Sequence, residues 1–262
     1  MPRPSRHVHS KEVIAMRIAV FGATGLIGAK VVPLLAEAGH DVVRAARPQA
    51  DVLTGAGLAE ALAGADVLID LTNSPSFADD AVLAFFRTST TNLTRAAAGA
   101  GVGHYVALSI VGADDLPASG YMRAKIAQEK LIRESGLPYT VVRATQFDEF
   151  AGAITDSLTV GDEVRVPDGL IQPIAADEVA MAVARVATAS ARNGHIDIGG
   201  PDRISFADLA AAVMGARGEH RRVVITPDAT YFGTPVDDHS LVTGAGAAIA
   251  LTHFADWLAA HR

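Results

Sequence analysis

Three features of the sequence predict an α/β fold, a doubly wound parallel sheet with a small C-terminal part. Short apolar runs of strand length alternate with longer helical stretches. The first run, residues 17–21, leads into a glycine-rich turn, Gly22-Ala23-Thr24-Gly25-Leu26-Ile27-Gly28, which opens a helix. Cysteine is absent, so no disulfide framework offers a different architecture.

The elements follow in order. Residues 17–21 form the first strand, and 29–38 form a helix stopped by Gly39. A second strand is expected at 41–46, a short helix at 57–62, and a third strand at 66–71 centred on Val67, Leu68 and Ile69. Residues 77–98 are mostly helical, although Ser89, Thr90 and Thr91 weaken the middle. A fourth strand at 103–109, a helix at 121–135 and a fifth strand at 139–143 complete the βαβ series. The second half is more mixed. A helix is expected at 177–189, a strand at 194–198 closed by Gly199-Gly200-Pro201, and a helix at 206–214. Ser205 can cap that last helix, with Asp208 in the capping-box position. A strand at 223–226 and a final helix at 249–260 follow, whereas 152–173 reads as turns and short apolar pairs.

Composition narrows the function. Among 262 residues, 22 Lys and Arg stand against 29 Asp and Glu, a formal net charge of −7, which argues against nucleic acid as a partner. Without cysteine there is no thiolate zinc or iron–sulfur site, and the nine His show no metal-ligand spacing, so no metal is expected. No apolar run reaches membrane-spanning length, so no membrane partner is expected. Residues 1–15 are polar and basic and lack the apolar core of a signal peptide. They read as a disordered extension, with Met16 as an alternative start. The expectation is a cytoplasmic protein with one domain at 16–262. Its substrate-binding part comes mainly from 146–175 and 200–262.

The glycine turn carries the first chemical signal. Gly22 permits the tight turn, Gly25 lets backbone approach a pyrophosphate, and Gly28 allows close helix–sheet packing. Helix N–H groups then stabilise the phosphate charge. The end of the second strand bears on cofactor choice. An acid there would bind the adenosine ribose and repel a 2′-phosphate. This sequence has Val43-Arg44-Ala45-Ala46-Arg47 instead, and Arg47 is placed to meet a phosphate, so NADP (as NADPH) is expected. Asp51 and Val52 are expected near the adenine edge.

The second signal is Tyr121-Met122-Arg123-Ala124-Lys125. Residues four apart share a helix face, so Tyr121 and Lys125 point into one cleft. Ser109 ends the preceding strand, and ligands of parallel sheets sit beyond the strands' carboxyl ends. A nearby ammonium favours the phenolate. Such a Tyr can give a proton to a carbonyl oxygen as hydride arrives. Ser109 would hold the oxygen, and Lys125 would also bind ribose hydroxyls of the cofactor.

Together these pieces resemble the atypical short-chain dehydrogenase/reductases, in the NmrA-like NAD(P)-binding group. The resemblance also draws on Ala65-Asp66-Val67-Leu68-Ile69-Asp70, His104-Tyr105-Val106-Ala107-Leu108-Ser109, Arg143-Ala144-Thr145-Gln146-Phe147, Asp177-Glu178-Val179-Ala180 and Gly199-Gly200-Pro201. It implies a Rossmann-type sheet of seven strands. It implies cofactor contacts from Gly22, Thr24, Gly25, Leu26 and Ile27, from the loop Leu71-Thr72-Asn73, and from Ala144 and Thr145. Ser109, Tyr121 and Lys125 match the family's catalytic trio. Met122 after Tyr121 departs from the usual pattern.

Substrate groups are expected from Ser74, Phe77, Val111, Gln146, Phe147 and Phe150, which suit a small or medium apolar carbonyl compound. Tyr231-Phe232-Gly233 is a candidate lid. An NADPH-dependent reductase is the leading reading. A non-catalytic NADP-binding redox-sensing regulator and a cofactor-assisted epimerase or isomerase stay open, as does the choice between monomer and homodimer.

Overall fold

The computed structural model describes residues 14–261, so most of the expected extension at 1–15 lies outside the described residues. The chain runs β1 (Arg17–Phe21), α1 (Gly28–Glu37), β2 (Asp41–Ala45), α2 (Leu58–Leu62), β3 (Val67–Asp70), α3 (Asp79–Ala100), β4 (His104–Ile110), α4 (Gly120–Glu134) and β5 (Tyr139–Ala144). It continues with α5 (Ala151–Ser157), β6 (Thr159–Val160), β7 (Glu163–Val166), β8 (Leu170–Ile171), α6 (Ala176–Ala187) and β9 (Gly194–Gly199). The last elements are β10 (Ile204–Ser205), α7 (Phe206–Arg217), β11 (Arg222–Ile225), β12 (Ala248–Ile249) and α8 (Phe254–Ala260).

Seven strands form one sheet in the order β12-β9-β5-β4-β3-β1-β2, and every pairing in it is parallel. The five early strands fall within a residue or two of their expected bounds. Alternation along each strand sends side chains to opposite faces. Ile18, Val20, Val67, Ile69, Val106 and Val142 are buried with residues of α1 and α6. Ala19, Phe21, Leu68, Tyr105 and Ala107 are buried on the other face with residues of α2, α3 and α4. Each fully buried large aliphatic residue contributes about 1.5–3 kcal/mol. The strand order reverses about β1, between β2 and β3, and the carboxyl rim at such a reversal is where α/β sheets bind ligands.

Two elements differ from the sequence reading. The helix expected at 77–98 with a weak middle is one continuous helix of 22 residues. Ser89 Oγ donates back to the Phe86 carbonyl at 3.5 Å and Thr94 Oγ1 to the Thr90 carbonyl at 2.8 Å, so these two hydroxyls are absorbed within the helix, while Thr90 Oγ1 is buried without a partner. The final helix does not begin at Ile249. Ala248 and Ile249 instead pair with Ile198 and Gly199 as an edge strand. Glu178 then accepts from the N–H groups of Leu251 and Thr252, both at 3.1 Å, and Asp202 accepts from Phe254 N at 3.0 Å, where α8 starts.

The C-terminal part does more than cover the sheet edge. Strands β9 and β12 extend the main sheet, while β6, β7 and β11 form a three-stranded sheet and β8 pairs with β10. Ile154, Val164, Val166, Ile171, Phe206, Leu209, Val213 and Leu241 make a second core, which includes Leu116 and Met122 at the start of α4. Residues 152–173 thus hold most of a helix and three short strands that local turn signals concealed. Ser205 caps α7, its Oγ accepting from Asp208 N at 3.0 Å, while Asp208 Oδ2 accepts from that hydroxyl at 2.7 Å rather than from the Ser205 N–H of a full capping box. Phe206 is fully buried. Its change to Ala is expected to cost about 3–5 kcal/mol. If the two cores fold as one unit, calorimetry of the variant will show a single lowered transition. Two separate transitions would instead divide the chain into two domains.

Candidate active site

The glycine turn sits at the carboxyl end of β1. Gly22 has φ +79°, and a Cβ there would lie 2.5 Å from the Leu71 carbonyl oxygen. A Cβ on Gly28 would lie 2.1 Å from the Gly22 carbonyl oxygen, so this glycine brings helix and turn together. Gly25 is exposed, with only the Gly22 carbonyl near its Cβ direction, so its backbone stays open to a ligand. No side chain caps the start of α1, which suits an incoming phosphate. Thr24 and Leu26 are exposed beside Gly25, whereas Ile27 is buried in the core. Any contact from Ile27 is therefore through its backbone.

Ser109 lies on β4 in phase with Tyr105 and Ala107, which puts its side chain on the α4 side of the sheet. It is 3% exposed, and its Oγ has no partner in the protein. Tyr121 and Lys125 share one face of α4. The Tyr121 hydroxyl donates to Asn73 Oδ1 at 2.9 Å, which ties α4 to the loop after β3. Lys125 is buried, donates to the Leu108 carbonyl at 2.8 Å and to Gln128 Oε1, and stands 4.4 Å above the Phe86 ring.

Burial controls both titrating groups. It pushes the Tyr121 phenol up to about 12. It pushes Lys125 down to about 8, opposed by the negative charges of Asp70 and Glu129. Burial, not the expected pull of the Lys125 ammonium, dominates at Tyr121 here, and the protonated phenol is the stable form.

The other expected cofactor residues line the same rim. Arg47 is exposed two residues beyond β2. One oxygen of Asp51 is taken by the turn it opens, accepting from Leu53 N at 2.8 Å and Thr54 N at 3.1 Å. Val52 is half-buried, and its carbonyl accepts from Asn92. Leu71 packs partly into the core, and Thr72 donates through both N and Oγ1 to Asp70. Ala144 is a core residue, while Thr145 Oγ1 is buried without a partner. Orphaned polar atoms on Ser109 and Thr145, with the open glycine turn, fit a dinucleotide carrying many hydroxyl and phosphate groups.

The expected substrate residues divide. Phe77 is 67% exposed and its ring lies tilted against Tyr121, with ring centroids 5.5 Å apart. Phe147 and Phe150 stack on each other at 5.5 Å, and Gln146 is buried with Oε1 unpartnered. Ser74 is turned inward instead, its hydroxyl donating to the Ser76 carbonyl at 2.7 Å, and Val111 is buried. Tyr231 packs between Phe206 and Phe232, and burial together with nearby Tyr121 pushes its phenol up. Two surface hollows, one at Asp66 and His104 and one at Thr140 and His195, open near the amino ends of the strands, away from this rim.

Sequence reasoning missed two groups. Gln128 lies one turn beyond Lys125 on the same helix face, a spacing visible in the sequence. Its Nε2 donates to Asp70 Oδ2 at 2.9 Å. Asp148 is buried, neither carboxylate oxygen has a partner, and burial with nearby Glu149 and Asp202 pushes it up to about 7. No local pattern marks it, because its surroundings come from distant segments.

Among the described residues no helix is long and apolar enough to cross a membrane, and no His/Cys/Asp/Glu cluster could hold a metal ion. Known proteins are similar to the chain in sequence or in fold. The chain is 29% identical over 224 residues to a (4-alkanoyl-5-oxo-2,5-dihydrofuran-3-yl)methyl phosphate reductase of Streptomyces griseus subsp. griseus, covering 78% of this chain and 75% of that protein. It is similar in fold to MoeE5, solved with UDP-glucose and NAD, with TM-score 0.73, 21% identity, and coverage of 93% of this chain and 96% of that one. It is also similar to RMD from Pseudomonas aeruginosa, solved with NADPH, with TM-score 0.68, 15% identity, and coverage of 93% and 96%. The family model described as NAD(P)H-binding matches residues 22–190. With that match over more than half its length, the chain belongs to the NAD(P)H-binding family.

Proposed function

We propose that the protein is an NADPH-dependent reductase of small or medium apolar carbonyl compounds, with Tyr121 as proton donor. The observation that carries this reading is a protonated Tyr121 and a buried Lys125 on one face of α4, with Lys125 bonded to β4 at Leu108, next in sequence to an unpartnered Ser109 hydroxyl. The reductase activity in the name of the Streptomyces relative supports it. The alkanoyl group in that name suits a rim bearing exposed Phe77, Phe150 and Phe232.

The turn at Gly22, Thr24, Gly25, Leu26 and Ile27 would hold the pyrophosphate, and Arg47 the 2′-phosphate. Thr72, Asn73, Ala144 and Thr145 would border the nicotinamide half. A bound nicotinamide supplies the hydride. Ser109 Oγ donates a hydrogen bond to the substrate carbonyl oxygen and orients it. Tyr121 passes its proton to that oxygen as the carbon is reduced, so carbonyl, hydride and proton give the alcohol. Lys125 keeps a positive charge beside the phenolate that remains and holds ribose hydroxyls. Gln146, Phe147 and Phe150 flank the carbon side.

Three outcomes test this. Tyr121→Phe should leave NADPH affinity intact, read by nicotinamide fluorescence, and lower carbonyl reduction by about 10²-fold or more. Unchanged turnover would remove Tyr121 from the acid role, and firm NADPH binding without turnover of any carbonyl compound by the native protein would favour a regulator. Arg47→Asp should weaken NADPH binding by about 10–100-fold and spare NADH. Equal loss for both cofactors would overturn the phosphate role. Lys125 is charged below about 8, so reduction is expected to fall as pH rises through that value. A flat profile from neutrality to well above it would exclude a required ammonium.

A further inference from the structure

We propose that Gln128 is a positioning residue for the reductase reaction, its amide fixing the ammonium of Lys125 and joining it to the buried carboxylate of Asp70. This rests on the reading of Lys125 as part of the reductase site.

The hydrogen bonds leave one orientation for the amide. Lysine only donates and a carboxylate only accepts, so Oε1 faces Lys125 and Nε2 faces Asp70. Asp70 Oδ2 also accepts from the Tyr105 hydroxyl at 2.9 Å. Asp70 Oδ1 accepts from Thr72 N at 3.1 Å and Thr72 Oγ1 at 2.7 Å. The next residue, Asn73, accepts from the Tyr121 hydroxyl. The connections therefore close a ring: Tyr121, Asn73, Thr72, Asp70, Gln128, Lys125, and back along α4 to Tyr121. All but one turn of helix and one peptide link in that ring is hydrogen bonding.

The chemistry of position 128 matters. A carboxylate there would form a buried ion pair with Lys125 and neutralise the charge that stabilises the Tyr121 phenolate. An apolar side chain would leave one ammonium N–H without an acceptor. The amide accepts from Lys125 with no charge of its own and keeps the Asp70 charge one group removed. Two of the three lysine N–H donors are then used, by Leu108 O and Gln128 Oε1, and the third would serve a ribose hydroxyl of a bound cofactor. The titratable and charged groups of this surrounding are Asp70 on β3, Tyr105 on β4, and Tyr121 and Glu129 on α4, with Arg143 of β5 already paired to Glu129. Phe86 faces Lys125 from α3 and carries no charge.

The test is the Lys125 titration in the full chain labelled with 13C-lysine, its resonance assigned through Lys125→Arg. Gln128→Leu should lower the midpoint by about one pH unit or more, because the ammonium loses an acceptor in a buried site. Gln128→Glu should raise it by a similar amount. Opposite shifts are the signature, since a merely structural role would not move the midpoint in two directions. Unchanged midpoints in both, or shifts of the same sign, overturn the proposal. Should the Leu variant fail to fold, Asp70→Asn takes its place: it removes the remote charge and should also lower the midpoint, and an unchanged value overturns the coupling. NADPH titration of the native protein is read separately. Opposite shifts without any NADPH binding would retain the Gln128 contact and discard the reductase reading.

Discussion

A carboxylate at 1% exposure organises the centre of the molecule. Burying such a charge costs several kcal/mol unless hydrogen bonds replace its water. Asp70 receives four, from Thr72 N, Thr72 Oγ1, Tyr105 and Gln128. Those donors come from the loop after β3, from β4 and from α4. Losing any one leaves the charge under-satisfied, so the three segments hold one another in place. The loop carries Asn73, and α4 carries Tyr121 and Lys125. The site's geometry is thus tied to a group that need not touch substrate.

The parallel sheet supplies the second condition. Every strand of it ends on the same rim, so residues far apart in sequence meet there without long loops. Gly22 follows β1, Thr72 follows β3, Ser109 is near the end of β4, and Thr145 follows β5. Arg143 braces this rim from below, donating through Nε and Nη2 to Glu129 of α4 at 3.0 and 2.6 Å, and through Nη1 to Asp114 at 2.6 Å. The ion pair with Glu129 is largely buried, so removing one partner would strand the other charge. Helix α4 is therefore fixed near its middle to both β3 and β5, which leaves Tyr121 at its first turn well placed but open to the cleft.

The half of the fold built from local repeats was legible in the sequence. Strand-length apolar runs, the glycine turn and the Tyr121–Lys125 spacing are all set within a few residues of one another. The parts that were not legible depend on distant partners. Residues 248 and 249 pair with β9 rather than joining the last helix, because Glu178 and Asp202 claim the N–H groups that follow. Short strands such as β6 and β8 have too few residues to show alternation. The seating of Tyr121 and Lys125 on one helix face was readable, but the direction of the pull on Tyr121 was not. That direction depends on burial by Phe77, Phe86 and the C-terminal part, which no local pattern reports.

Burial acts on the two groups of α4 in opposite senses but toward the same result, the neutral form of each. Unopposed, it would leave a phenol beside an uncharged amine, with no cation to receive a developing negative charge. Asp70 and Glu129 oppose it for Lys125 and hold that group near 8, so it stays charged at neutrality. No comparable opposition reaches Tyr121, which burial raises to about 12. The resulting pair is a phenol that keeps its proton and an ammonium one turn further along the same helix. The charge state of this face of α4 therefore follows from where two carboxylates lie, Asp70 on β3 and Glu129 on α4 itself, rather than from Tyr121 and Lys125 alone.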